Sequence, residues 1–277
     1  MVVVSALLVL AGCTASVPLP PAPAPVDPTQ QAAIERGTAF LQARFDPALG
    51  LVQESPVLRP TSFFLANDAL LVSHVLTLTG ATEMAATLDA TLAKYGVAGN
   101  DFIEAAWGTP IPWPPKHFAD PGDLVAEVGD KQVLTIRHDG PGYFYDWSAY
   151  GNLAFMAAVN EANQGNGEAA RRLYEIEAAT FDGRGFADKA YWDRNEVYET
   201  LGVAWGVYAA ALLCTPPPPE MLAALLAQQN PVSGGFHTHY TAGEDRLADA
   251  NVETTSMALL ALLRLAQPDC GRSLGFR

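Results

Sequence analysis

The sequence predicts an all-α fold of about four helical hairpins, with buried helices forming an inner ring, amphipathic helices an outer ring, and one small β-hairpin-containing insertion. Three observations predict it. A unit recurs in which a Gly-rich turn, an extended piece and a polar helix start precede an almost wholly apolar helix. It is clearest at Gly234-Gly235-Phe236-His237-Thr238-His239-Tyr240, which runs through Asp249 and Asn251-Val252-Glu253-Thr254 into the apolar residues 257–265. The same order leads from residues 181–186 through Glu199-Thr200 into 203–213, and from 45–51 through Asn67-Asp68 into 69–78. Repeats of this length mark stacked supersecondary units. Second, helices apolar nearly all round alternate with helices carrying a single apolar stripe, as buried and half-exposed helices do. Third, 277 residues at 49% hydrophobic are enough for one sizeable core.

Taken in order, residues 30–45 place Ile34, Leu41 and Phe45 on one helical face and end at Asp46-Pro47. Residues 64–79 form a helix whose body, Leu70 to Leu76, is apolar nearly all round, and 82–94 space Met84, Leu88 and Leu92 by four. Residues 100–143 interrupt the alternation. Trp107, Pro110, Pro112, Trp113, Pro114 and Pro115 exclude regular helix there, and 124–128 and 132–137, joined at Gly129-Asp130, read as a β-hairpin. A connection this long suits a lid at one mouth of the helical body. Residues 145–163, 195–213 and 251–265 are the remaining buried helices; 167–180 and 219–229 are their amphipathic partners.

The first residues suggest an exported chain. Residues 2–12 are apolar, too short to span a bilayer, and end in Leu10-Ala11-Gly12-Cys13, which resembles a bacterial lipobox. The expected organisation is a lipoprotein signal peptide at 1–12, a Pro-rich tether at 13–29 lipidated on Cys13, and one domain over 30–277. The chain is then held on the extracytoplasmic side of the cell membrane. Export favours oxidation of the remaining cysteines, and Cys214 and Cys270 each follow an apolar helix, so a disulfide between them and two free thiols are the alternatives. A formal charge of −14 with 16 Lys and Arg argues against a nucleic-acid partner.

The Gly-Gly-Phe turn, the polar helix start and the Ala/Leu-rich inner helix together resemble the repeat of the α/α-toroid superfamily, which includes terpenoid cyclases, prenyltransferase β-subunits and complement-type thioester domains. Glycoside hydrolases and polysaccharide lyases share the architecture. The segments 182–200 and 234–255 look like uncharacterised exported prokaryotic proteins of this type. The resemblance spans about 30–267 and implies an α/α toroid. It does not carry the specialised chemistries, since the Asp-rich motifs, the thioester Cys-Gly-Glu-Gln and a placeable zinc Asp, Cys and His are missing.

A shared mouth for the inner helices would gather Asn67, Asp68, Asp146, Trp147, Tyr150, Glu199, Asn251 and Glu253, with His237 and Tyr240 beside them. Acids at helix starts serve as caps and dipole partners. Converging on a cavity, they also raise one another's pKa. Glu199, Glu253, Asp68 and Asp146 are therefore the candidate catalytic acids, with Tyr150 as a lyase-type base. Trp113, Trp147, Trp192 and Tyr240 are candidate platforms for sugar rings. Paired carboxylates framed by aromatics suit a glycosidase or lyase acting on a glycan. A non-catalytic glycan- or protein-binding lipoprotein uses the same cleft without turnover, and an isoprenoid-related protein is a third reading. His237-x-His239, with Glu253 or Asp249, forms a candidate divalent-metal site, the one cofactor considered. His74 reads as a core histidine.

Overall fold

The computed structural model describes residues 27–55, 63–97, 99, 101–118, 123–137, 139–189, 192, 196–243, 245–247 and 249–267. The expected signal peptide, most of the tether with Cys13, His138 and Cys270 lie outside the described residues. The chain is mostly helical, and its described residues carry three small sheets.

Helix α1 (Pro28–Ala43) opens with Pro28 at its first position, and Asp27 caps it by accepting from Thr29 N at 2.7 Å. A two-residue hairpin, β1 (Phe45–Asp46) with β2 (Leu51–Val52), and the short strand β3 (Phe63–Leu65) lead to α2 (Ala66–Leu78). Helix α3 (Thr82–Tyr95) buries Ala85, Leu88 and Leu92, a single stripe at helical spacing. Gly96, at φ +66°, ends it in the left-handed conformation that glycine adopts without penalty.

The interruption is less irregular than the sequence suggests. A short helix, α4 (Asp101–Ala106), forms immediately before the Trp- and Pro-rich run, because the helix-breaking residues begin only at Trp107. The hairpin is present as β4 (Asp123–Val128) and β5 (Lys131–Thr135), and β3 adds to β5 in parallel.

Helices α5 (Gly151–Asn163) and α6 (Gly167–Ala178) follow a single 3-10 turn at Trp147–Ala149. The regular helix therefore starts later than residue 145, since Tyr150 is extended. Likewise α7 (Thr200–Leu212) starts later than 195, because β6 (Val197–Glu199) pairs antiparallel with β7 (His239–Thr241). Helices α8 (Pro219–Ala227) and α9 (Val252–Leu265) follow.

Every residue of α7 except Leu201 is buried, and α2, α5 and α9 are buried over most of their length. Their neighbours explain this. Helix α9 packs on α7, α2 and α1; α7 also packs on α5 and α8; α5 carries α6 and α4; α2 carries α3 and touches α4. The four apolar helices thus form a series α2–α9–α7–α5, each backed by one amphipathic helix. Side chains such as Phe155, Tyr208, Val72 and Leu260 fill one continuous core.

The Gly-Gly-Phe turn has a steric reason. Gly234 sits at φ +83°, and a Cβ there would stand 2.4 Å from Arg36 O on α1. At Gly235 a Cβ would meet the Phe40 ring at 2.7 Å and Ala250 Cβ at 2.8 Å. Two glycines let the turn press against α1 while Phe236 enters the core.

Candidate functional site

The four buried helices begin at one end, and their starts enclose a cavity of about 270 Å³. Helix α2 supplies Asn67, Asp68 and Leu71; α5 supplies Asn152; the β6–α7 junction supplies Glu199, Leu201 and Trp205; α9 supplies Glu253 and Met257. Each of three helices contributes a residue in its first turn and another four positions on: Asn67 and Leu71, Leu201 and Trp205, Glu253 and Met257. That spacing stacks the two side chains on one face, one turn apart. The remaining wall is apolar, with Phe102, Ile103 and Ala106 from α4, Leu65, Phe118 and Ile136.

A fourth carboxyl stands behind the lining. The backbone carbonyl of Glu54 accepts from Val252 N at 3.0 Å, and Ser55 Oγ donates to Asp249 Oδ2 at 3.1 Å, so the stretch after β2 lies across the start of α9. Glu54 is only 3% exposed, and its carboxyl hydrogen-bonds the carboxyl of Asp68 and the side chain of Asn251. Neither Glu54 Oε2 nor Asp68 Oδ2 meets a donor among the described residues. Two facing carboxyls can bond only while one of them is protonated, so ionising both is disfavoured.

Burial drives all four acids towards the neutral form, the first cause in each case. Glu54 is pushed up to about 7, opposed by its hydrogen bonds to Asp68 and Asn251. Asp68 is held well above the usual carboxylate range by burial and then by the charge of Glu54. Glu253 rises to about 8 by burial and by Asp68, and Glu199 to about 8 by burial, Asp188 and Glu253. The row continues away from the cavity: Glu177 on α6 rises to about 7 through burial, with Asp188 adding to it. The positive ends of the converging helices favour carboxylates here, but desolvation wins. Near pH 7 the cavity presents mainly neutral carboxylic acids, which both donate and accept hydrogen bonds.

Of the residues singled out from sequence, Asn67, Asp68, Glu199 and Glu253 come together in this lining. Asn67 also acts as an anchor. Its Oδ1 accepts from Thr135 Oγ1 at 2.8 Å and Ile136 N at 2.6 Å, fastening the β4–β5 hairpin to the mouth. Asn251 caps α9 through Thr254 N at 2.9 Å.

The others sit elsewhere. Asp146 is exposed and paired with Lys189, whose hydrogen bond holds its pKa low. Lys189 Nζ also lies 5.8 Å above the Tyr150 ring. Trp147 meets Trp113 edge-on at 5.5 Å, and Trp192 packs tilted against Tyr198 at 4.7 Å. Tyr240 donates its hydroxyl to Arg184 O at 2.6 Å and is buried. His237 faces Asn230 Nδ2 at 3.2 Å, and His239, its pKa lowered by burial, faces Thr238 Oγ1 at 2.8 Å. None of these lines the cavity. Among the described residues no group of three or more His, Cys, Asp or Glu is placed to hold a metal ion.

Glu54, Asn152, Phe102, Phe118 and Trp205 belong to the site without having been singled out from sequence. Trp205 had a signal, its four-residue spacing from Leu201 in the first turn of α7, but inside an apolar helix it reads as core. Glu54 had none, since only the tertiary contact with α9 brings it in. Cys214 is disulfide-bonded, and Cys270, its expected partner, lies outside the described residues. No helix is long and apolar enough to cross a membrane among the described residues. No protein-family model matches the chain, and no curated protein is significantly similar to it.

Proposed function

We propose that the chain is an exported, lipid-anchored acid–base enzyme acting on a glycan, of glycoside hydrolase or polysaccharide lyase type, built as an α/α toroid of four helical hairpins. The carrying observation is the convergence of Asp68, Glu199 and Glu253, backed by Glu54, on one cavity where burial keeps them protonated near neutral pH. Acids that hold protons at working pH are suited to protonate a leaving group, and a neighbouring carboxylate completes the pair. Glu199 and Glu253 are the pair in this reading: both are neutral in the empty cavity, and Glu253, once ionised as the acceptor, holds Glu199 protonated as the donor. The series α2–α9–α7–α5, each with an outer partner, supports the toroid. The disulfide at Cys214 supports an oxidising compartment and the Cys214–Cys270 pairing, and Cys13 is the proposed point of lipidation.

The test is turnover by the full, detergent-solubilised chain on a panel of bacterial and plant polysaccharides, scoring reducing ends and unsaturated products. Glu199→Gln and Glu253→Gln should each lower turnover by about 10²-fold or more. Variants as active as the parent would remove both acids from the chemistry.

A second reading has its own support. Leu65, Leu71, Ile103, Ala106, Ile136 and Met257 make most of the wall apolar, which suits non-catalytic capture of an apolar, isoprenoid-like chain. Thermal stabilisation by such a ligand, with no turnover on the panel, would favour it.

A further inference from the structure

The cavity has acids and no counter-charge. Asp68, Glu199 and Glu253 line it with Glu54 behind, and no Lys, Arg or His lines it among the described residues. Buried carboxyls are normally met by donors or cations. Here Asp68, at 8% exposure, leaves Oδ2 without a donor among the described residues, and Glu199 leaves Oε2 in the same condition. A partner that donates several hydrogen bonds meets these oxygens, and one that also carries positive charge stabilises the carboxylate formed when one of the acids ionises. An ammonium group has three donors and no acceptor, and its bonds to carboxylates are of the strong, charge-assisted kind. A hydroxyl supplies one donor and leaves the remaining oxygens unmet. The walls agree: Trp205, Phe102 and Phe118 present aromatic surface to the same space, and aromatic faces attract cations.

We infer that the cavity takes a ligand bearing a protonated amine, its ammonium seated among the carboxyls of Asp68, Glu199 and Glu253 and its body against Trp205, Phe102 and Phe118. The inference rests on the cavity being the binding site proposed above. Within the glycan reading it names the substrate class, an amino sugar whose nitrogen is unacetylated.

Binding carries a proton balance. The ligand arrives as an ammonium, one carboxylic acid of the cavity ionises to pair with it, and the displaced proton leaves to the buffer. Among the described residues, the titratable groups beside these acids on the surrounding elements are Glu54, Asp188 and His239, the last across the β6–β7 pairing from Glu199. Glu54 and Asp188 are acids, so they oppose ionisation in the empty cavity and favour a cation in the filled one. His239 is held towards its neutral form by burial.

The test is calorimetry on the full, detergent-solubilised chain in two buffers of different ionisation heat, using benzylamine and D-glucosamine beside benzyl alcohol and D-glucose, with calcium and magnesium chloride alone. The expected result is amine binding with release of about one proton, an affinity rising about tenfold per pH unit from about pH 5 to 7, and no comparable binding by the alcohol or glucose. Glu253→Gln and Glu199→Gln should each weaken amine binding about tenfold or more and reduce the proton release. Should the variants not fold, the preference for amine over alcohol and the proton release of the parent chain decide the matter.

Amines that fail to bind, or neutral counterparts that bind equally well without proton release, overturn the inference. Calcium or magnesium binding in place of the amines overturns it in favour of a cation site. Benzylamine bound while no glycan is turned over keeps the inference and removes the glycan reading; neutral glycans turned over while no amine binds does the reverse.

Discussion

Replacing Glu199 by Gln should change how stability depends on pH more than it changes stability itself at low pH. In the folded chain Glu199 keeps its proton up to about pH 8, whereas an ordinary glutamate releases it near 4.5. Between those values the folded state binds a proton that the unfolded state has lost, so stability falls as pH rises. One proton corresponds to about 1.4 kcal/mol per pH unit, and the whole window to on the order of 5 kcal/mol. Gln has nearly the same shape and does not titrate, so this loss disappears. The gap between Glu199→Gln and the parent should therefore open in the variant's favour by about 3 kcal/mol from pH 5 to 7. Coupling to Asp188 and Glu253 broadens the transition without changing the number of protons. Urea unfolding followed by tryptophan fluorescence, at half-unit pH steps, measures the gap. A gap constant across that range would mean that Glu199 ionises like an exposed glutamate and would refute the argument.

Other substitutions test the scaffold of the mouth. Asn67→Ala removes the acceptor for Thr135 Oγ1 and Ile136 N, so about 1–3 kcal/mol of stability should be lost, with hydrogen exchange accelerating in β5 before α2; uniform exchange across both would contradict the anchoring role. Gly234→Ala meets an unfavourable φ and the Arg36 carbonyl together and should cost about 2 kcal/mol or more by chemical denaturation. An unchanged midpoint would show that the turn can move away from α1. Asn160, buried on α5, accepts from Ile111 N at 2.8 Å and donates to Ile111 O at 3.1 Å. Its replacement by Ala should cost about 2 kcal/mol and open the Trp- and Pro-rich segment to protease; unaltered cleavage there would show that other contacts hold it.

Helices were legible in the sequence where one periodicity ruled. The stripe of Ala85, Leu88 and Leu92 and the apolar run of α7 each leave one way to bury their surface. The starts of α5 and α7 were harder to place, because Tyr150 and Glu199 are extended and β6 finds its partner far along the chain in β7, where Val197 pairs with Thr241 and Glu199 with His239. At the site, acids in the first turns of repeated helices pointed to Asp68, Glu199 and Glu253. The aromatic platforms were misleading because Trp192 and Tyr240 each pack against Tyr198, and a ring's tendency to be buried reads the same whether it meets core or ligand. Glu54 was invisible because nothing local distinguishes Gln53-Glu54-Ser55 from any polar loop; the hydrogen bond from Val252 N to its carbonyl, at the start of α9, is what brings it beside Asp68.

The chemistry of the cavity depends on its acids being held protonated near neutral pH. Infrared difference spectroscopy of the carboxylic C=O stretch tests it directly, by comparing the chain at about pH 6.5 with the same chain well above pH 9. A band from protonated carboxyls that is present at the lower pH, lost at the higher, and diminished in both Glu199→Gln and Glu253→Gln is the predicted result. A spectrum with only carboxylate bands at pH 6.5, the same in parent and variants, would contradict it.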